Sequence, residues 1–198
     1  MIVIIALDTA WREYYAQIKE CGNEDVQVLF KNDLPKEEKI AIEEAAIDLA
    51  ASELIVASGD SACRAEEFAA WEGKGARFFT FVHPDTYIDN SSKIAEGTFI
   101  AKGAIVGAET VIGRNCLVSR YAQISHDNNI ADGCTLLEKV TLGGNCKVGA
   151  GTSFKSNSVL KEHCTVGSNV TCEVGAVVLG DVEDGLTVYG NPARVKKQ

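Results

Sequence analysis

Apolar and polar positions keep two different rhythms on either side of His83-Pro84. Before that point, short apolar runs alternate with stretches of helical spacing. "MIVIIAL", "VQVLF", "ELIVAS" and "RFFTFV" predict four strands, and "AWREYYAQIKECG", "PKEEKIAIEEAAIDLAAS" and "SACRAEEFAAWEG" predict three helices. Gly22 marks the end of the first helix, and Asp60 is the expected N-cap of the third. Pro35 opens the second, at a position where its missing N–H costs nothing. Strands separated by helices imply parallel βαβ units, so residues 1–82 read as a Rossmann-like α/β domain.

Past His83-Pro84 the helical spacing gives way to a period of six. Every sixth residue from Ile88 to Val178 is Ile, Leu or Val, except Phe154 and Cys172, and the register never slips. Four places after each stands a second column, small at nearly every position: Ala104, Thr110, Cys116, Ala122, Asn128, Cys134 and so on to Val182. One large aliphatic and one small residue in six fit a short strand and a tight corner wound around a narrow core, which is a parallel β-helix. Three hexapeptides close one coil, so residues 18 apart stack at roughly 4.8 Å. Residues 83–186 are read as this β-helix domain and 187–198 as a C-terminal tail.

Charge narrows the partners. The 198-residue chain carries net charge −9, nearly all of it in residues 1–82, where acids exceed bases by eight. An acidic chain without basic stripes argues against nucleic acid. No apolar run is long enough to span a bilayer, and "MIVIIAL" is short and lacks a basic leader, so the chain is expected to be cytoplasmic and off the membrane. One basic cluster stands out, Arg194, Lys196 and Lys197, either a solvated tail or a contact for phosphate.

Seven cysteines suggest metal or disulfides, but no CxxC occurs. Cys116, Cys134, Cys146 and Cys164 fall in the small column, in two pairs 18 apart, where a thiol is a compact buried hydrophobe. Inert packing is the expectation. The three histidines are His83, His126 and His163, none near another in sequence, so a three-histidine zinc site is not expected and no metal is assigned.

His126 lies two residues after the inward Ile124 and should point outward. Asp127 follows it directly and can hold one ring N–H, leaving the other nitrogen free as a base near neutral pH. Asn128, the amide of the small column, needs partners inside the core and could brace the turn that carries the pair.

Together, the small βαβ half, "FVHPDTYIDNSSKIAEGTFI", "ISHDNNIAD" and "VYGNPARVKK" resemble the bacterial sugar acetyltransferases of the hexapeptide-repeat superfamily. That group includes sialic acid O-acetyltransferases and N-acetyltransferases of nucleotide-linked 4-amino sugars. The resemblance implies a left-handed parallel β-helix, a homotrimer with sites between subunits, and acetyl-CoA as cosubstrate. It makes His126 the general base and Asp127 its orienting partner in direct transfer to a sugar amine, or to a hydroxyl on a sialic-acid-like sugar. One coil on, Gly143 and Gly144 would meet the thioester, with Gly144 N–H as oxyanion donor. Arg194, Lys196 or Lys197 would lie near a CoA phosphate. "KND" and "SGDSACR" resemble acceptor-contacting loops, which makes Asn32, Asp33, Gly59, Asp60 and Arg64 candidates there. The chain departs from the family where "ALDTAWRE" replaces a glycine-rich turn, at Thr135 in place of a second histidine, and at Leu137-Glu138 in place of Ala-Pro. A trimeric β-helix scaffold without catalysis is the reading from another class.

Overall fold

The structure is a computed structural model and describes residues 1–31, 34 and 40–196. Strands β1 (Ile2–Ala6), β2 (Val26–Phe30) and β3 (Glu53–Ala57) form a parallel sheet in the order β2-β1-β3. Helix α1 (Trp11–Glu20) follows β1, and α2 (Ser61–Glu72) follows β3. Both faces of this sheet are covered, which is why its strands are apolar at nearly every position, Gln27 and Glu53 excepted. Ile4, Val28 and Ile55 pack with Trp11, Tyr14 and Ile18 of α1 and with Phe81, Phe99 and Leu117 beyond. Val3, Ile5, Leu54 and Val56 pack on Phe68 and Trp71 of α2 and on Phe78.

Two expectations for this half need correcting, and with them the full Rossmann-like set of strands and helices. Among the described residues of "PKEEKIAIEEAAIDLAAS" there is no α-helix, only a single 3-10 turn at Glu44–Ala46. The open edge of β2 competes successfully for that segment: Val28 N–H donates to Ile40 O (2.7 Å), Ile42 N–H donates to Val28 O (3.0 Å), and Ala41 forms a parallel bridge to Val28. Pro35 lies outside the described residues. "RFFTFV" also divides. Phe78 makes one bridge to Leu54, whereas Phe81–Val82 pairs in parallel with Phe99–Ile100 in the second half of the molecule.

That second half is a solenoid of two-residue parallel strands in three sheets. Strand residues pair with those 18 places on, as in Gln123↔Thr141, Asn129↔Lys147 and Thr135↔Ser153, until the last coil, where Thr171 pairs with Thr187. From Ile100 onward the large aliphatic column is buried, and the small column with it, in one continuous core. Each corner turns through a residue in the left-handed region three places after an inward aliphatic: Glu109, Asn115, Tyr121, Asp127, Lys139, Asn145, Asn157, His163 and Asn169 have φ between 54° and 62°. Small polar residues and glycine tolerate that region best. The five cysteines of the solenoid are buried and free. No helix among the described residues is long and apolar enough to cross a membrane.

The outward face of the first sheet of the solenoid, Phe99, Leu117, Thr135 and Ser153, is buried beneath the small α/β half. Arg64 of α2 secures this joint and is 1% exposed. Its guanidinium donates to Ser58 O (2.8 Å), Asn115 O (3.0 Å), Gly133 O (2.8 Å), Cys134 O (3.1 Å) and Thr135 Oγ1 (3.0 Å).

Candidate active site

The corner between the sheet carrying Ile124 and the sheet carrying Ile130 presents His126 and Asp127 to the outside, 57% and 50% exposed at their side chains. His126 Nδ1 lies 2.7 Å from Asp127 Oδ2. An ionised carboxylate can only accept, so in the neutral imidazole this contact selects the tautomer with the proton on Nδ1, leaving Nε2 as the acceptor. Asp127 sits at the left-handed corner position, φ 56°, and its N–H donates to Ala108 O in the coil before (2.8 Å).

The turn is held from several sides. Asn128 is buried; its Nδ2 donates to Ser125 O (2.8 Å) and His126 O (3.3 Å), and its Oδ1 accepts from Cys146 N–H (3.0 Å) in the next coil. Most hydroxyls of the small column instead reach forward 15 residues, as Thr98 does to Gly113 O and Thr110 to Ser125 O. Asn145 N–H also donates to His126 O (3.0 Å).

Gly144 lies one coil beyond His126. A Cβ built there would come within 2.9 Å of both Cε1 and Nε2 of the imidazole, so the ring occupies the space that a side chain would need. Gly144 O accepts from His163 N–H (2.9 Å), while Gly144 N–H makes no hydrogen bond to any described residue. Gly143 is constrained differently: a Cβ would meet the backbone of Glu162 at 2.5 Å. His163, unassigned by the sequence, stands on this same edge at its own left-handed corner.

The remaining candidates lie elsewhere. Arg194 and Lys196 belong to a terminal hairpin against Thr187–Tyr189, with Lys196 Nζ 3.9 Å from Glu173, at a different corner of the prism. Lys197, Asn32 and Asp33 lie outside the described residues. Asp60 caps α2 by accepting from Cys63 N–H (2.9 Å), a bond that holds its carboxyl below the usual carboxylate range. Gly59 N–H donates to Asp8 Oδ2 (3.0 Å), and Arg64 is enclosed in the joint described above. Asp8 was not singled out by the sequence, although "ALDTAWRE" was. No cluster of three or more His, Cys, Asp or Glu side chains among the described residues could hold a metal.

Comparison with known proteins agrees with this architecture. The family described as GMPPB C-terminal domain matches residues 82–183. Among solved structures, the acetyltransferase domain of PglB from Neisseria gonorrhoeae superposes with a TM-score of 0.91 at 23% identity over 98% of each chain. PerB from Caulobacter crescentus, in complex with CoA and GDP-perosamine, superposes with a TM-score of 0.89 at 22% identity, over 99% of this chain and 97% of that one. At such identities the likeness is one of fold. An acyl-[acyl-carrier-protein]–UDP-N-acetylglucosamine O-acyltransferase from Stutzerimonas stutzeri is 32% identical over 80 residues, 40% of this chain. The match spans only 31% of that relative's length.

Proposed function

Because this chain belongs to the GMPPB C-terminal domain family, and its exposed His-Asp pair is seated on a glycine whose N–H bonds to no described residue, we propose that it is an acetyl-CoA-dependent acetyltransferase acting on a sugar amine. Complexes of its fold neighbours with acetyl coenzyme A, and with CoA and GDP-perosamine, support the choice of substrates. Nucleotide-linked amino sugars are therefore the reference class for assay.

The neutral amine attacks the thioester carbonyl carbon and gives a proton to His126 Nε2, while the Asp127 carboxylate holds Nδ1–H and steadies the imidazolium. The tetrahedral oxyanion takes Gly144 N–H. Collapse breaks the C–S bond, and the CoA thiolate leaves with the proton carried by His126. No covalent enzyme intermediate is needed, and the buried thiols of the solenoid are not nucleophiles.

A single prism leaves His126 in open water, so we assign the working form as a homotrimer of left-handed β-helices with the site between subunits. In support, the sheet beside His126 presents Tyr87, Ile105, Gln123, Thr141, Val159 and Val177 outward, a column without charge. Thiol release from acetyl-CoA over a panel of amino sugars, with light scattering, tests both points. An active monomer overturns the trimer, and no release with any acceptor overturns the activity. The O-acyltransferase relatives favour a hydroxyl acceptor as the second reading. An ester product is cleaved by alkaline hydroxylamine and an amide is not.

A further inference from the structure

Ligands of parallel α/β sheets bind beyond the carboxyl ends of the strands, where loop N–H groups and a helix N-terminus hold phosphate. Here that place lies past Ala6 of β1 and Ala57 of β3, ahead of α1. Part of its donor set is already engaged by Asp8. Asp8 Oδ1 accepts from Ala10 N–H (2.7 Å), and Oδ2 accepts from Ser58 Oγ–H (2.7 Å) and Gly59 N–H (3.0 Å). Ser58, itself buried, also accepts from Asp60 N–H (3.0 Å). The first turn of α1 closes on itself, with Arg12 N–H donating to Thr9 O and Glu13 N–H to Ala10 O.

Among the described residues, the nearby cations do not offset this carboxylate by contact. The bonds of Arg64 all go to the carbonyls and the Thr135 hydroxyl given above, and the Arg12 guanidinium sits over the Trp11 ring, 5.0 Å from its centroid.

We infer that Asp8 determines the acceptor class: its carboxylate stands where the phosphate of a nucleotide-linked sugar would be held, so the sugar amine acetylated by this chain brings no diphosphate to that end of the sheet. The inference rests on the acetyltransferase reading and narrows its acceptor to amino sugars without a nucleotide. PerB shares the fold and its complex holds GDP-perosamine, so the architecture itself admits such an acceptor and the exclusion inferred here falls to the loop carrying Asp8.

Two measurements decide the matter. Calorimetry on the wild-type protein uses CoA as positive control and GDP, UDP and CDP as probes; thiol release then compares perosamine with GDP-perosamine as acceptors. CoA should bind while the nucleoside diphosphates give no binding in the micromolar range, and the free amino sugar should be preferred at least tenfold in kcat/KM. Asp8→Gly should bind the nucleoside diphosphates at least tenfold more tightly than the wild type, with Asp8→Asn as the second variant if the glycine form does not fold. Micromolar binding of a nucleoside diphosphate to the wild type, or preference for the nucleotide-linked acceptor, overturns the inference. Thiol release absent with every acceptor rejects the acetyltransferase reading instead, and calorimetry then decides the role of Asp8 alone.

Discussion

The imidazole of His126 fills the space that a side chain on Gly144 would take, one coil further along the solenoid. Gly144→Ala should therefore displace the ring by a fraction of an ångström to an ångström. Its backbone is not left-handed, so alanine adds no conformational strain there. We expect kcat to fall by up to about 10²-fold, as misplacement of catalytic groups does, with the thermal midpoint little changed. Steady-state thiol release and calorimetry check this, and an unchanged kcat would mean the seat is irrelevant to the chemistry.

His126→Ala should reduce the rate by about 10²–10⁴-fold by removing the base. Asp127→Asn should cost less, since the imidazole remains and asparagine tolerates φ 56°. CoA binding measured by calorimetry should persist in both. A fully active His126→Ala variant would show that the His126-Asp127 pair is not the base.

The thiols behave as packing, and pH reports it. Burial pushes the Cys172 thiol up to about 12 and also raises Cys146 and Cys164. An unfolded thiol ionises near 8.5, so above that pH the unfolded chain binds fewer protons than the folded one. The stability that Cys172 contributes is complete below about pH 8.5 and is lost as pH rises toward about 12, and Cys146 and Cys164 act in the same direction. Cys172→Val should flatten the fall in denaturation midpoint across that window. Cys146→Ala and Cys164→Ala should leave the rate nearly intact.

Arg64 is a buried cation whose hydrogen bonds all go to uncharged oxygens. Arg64→Met should leave several buried acceptors unpaired, each costing about 1–3 kcal/mol, and lower the thermal midpoint substantially. Arg64→Lys should rescue only part of this, because an ammonium cannot span the fork. Equal midpoints for the methionine variant and the wild type would show that the joint does not depend on this residue.

The solenoid was legible because its core is one-dimensional: Ile124, Leu142 and Leu160 must face inward at a fixed interval, and nothing non-local competes. The His126-Asp127 pair followed from the same frame, since a residue two places after an inward aliphatic must face out. The α/β half was harder to read. The helical spacing in residues 40–52 lost to the free edge of β2, a competitor invisible in a local window. Arg64 looked like a loop residue open to ligand, because nothing in "SGDSACR" announces that a second body closes over it. The role of Asp8 depends on Ser58 and Gly59, about fifty places away in the chain. The corner rule is also visible in the sequence, since Asn, Gly and Asp recur three places after the inward aliphatics.

Asp127 occupies a corner where the backbone turns left-handed, and aspartate is among the few non-glycine residues that visit that region readily. Many active sites hold their groups in conformations the fold would rather avoid, so that disarming them makes the protein sturdier. This corner carries no such conflict, because the geometry of the winding and the orientation of the imidazole favour the same residue. Asp127→Ala should consequently lose conformational stability along with activity, and selection for a tougher variant of this protein would have no reason to discard its carboxylate.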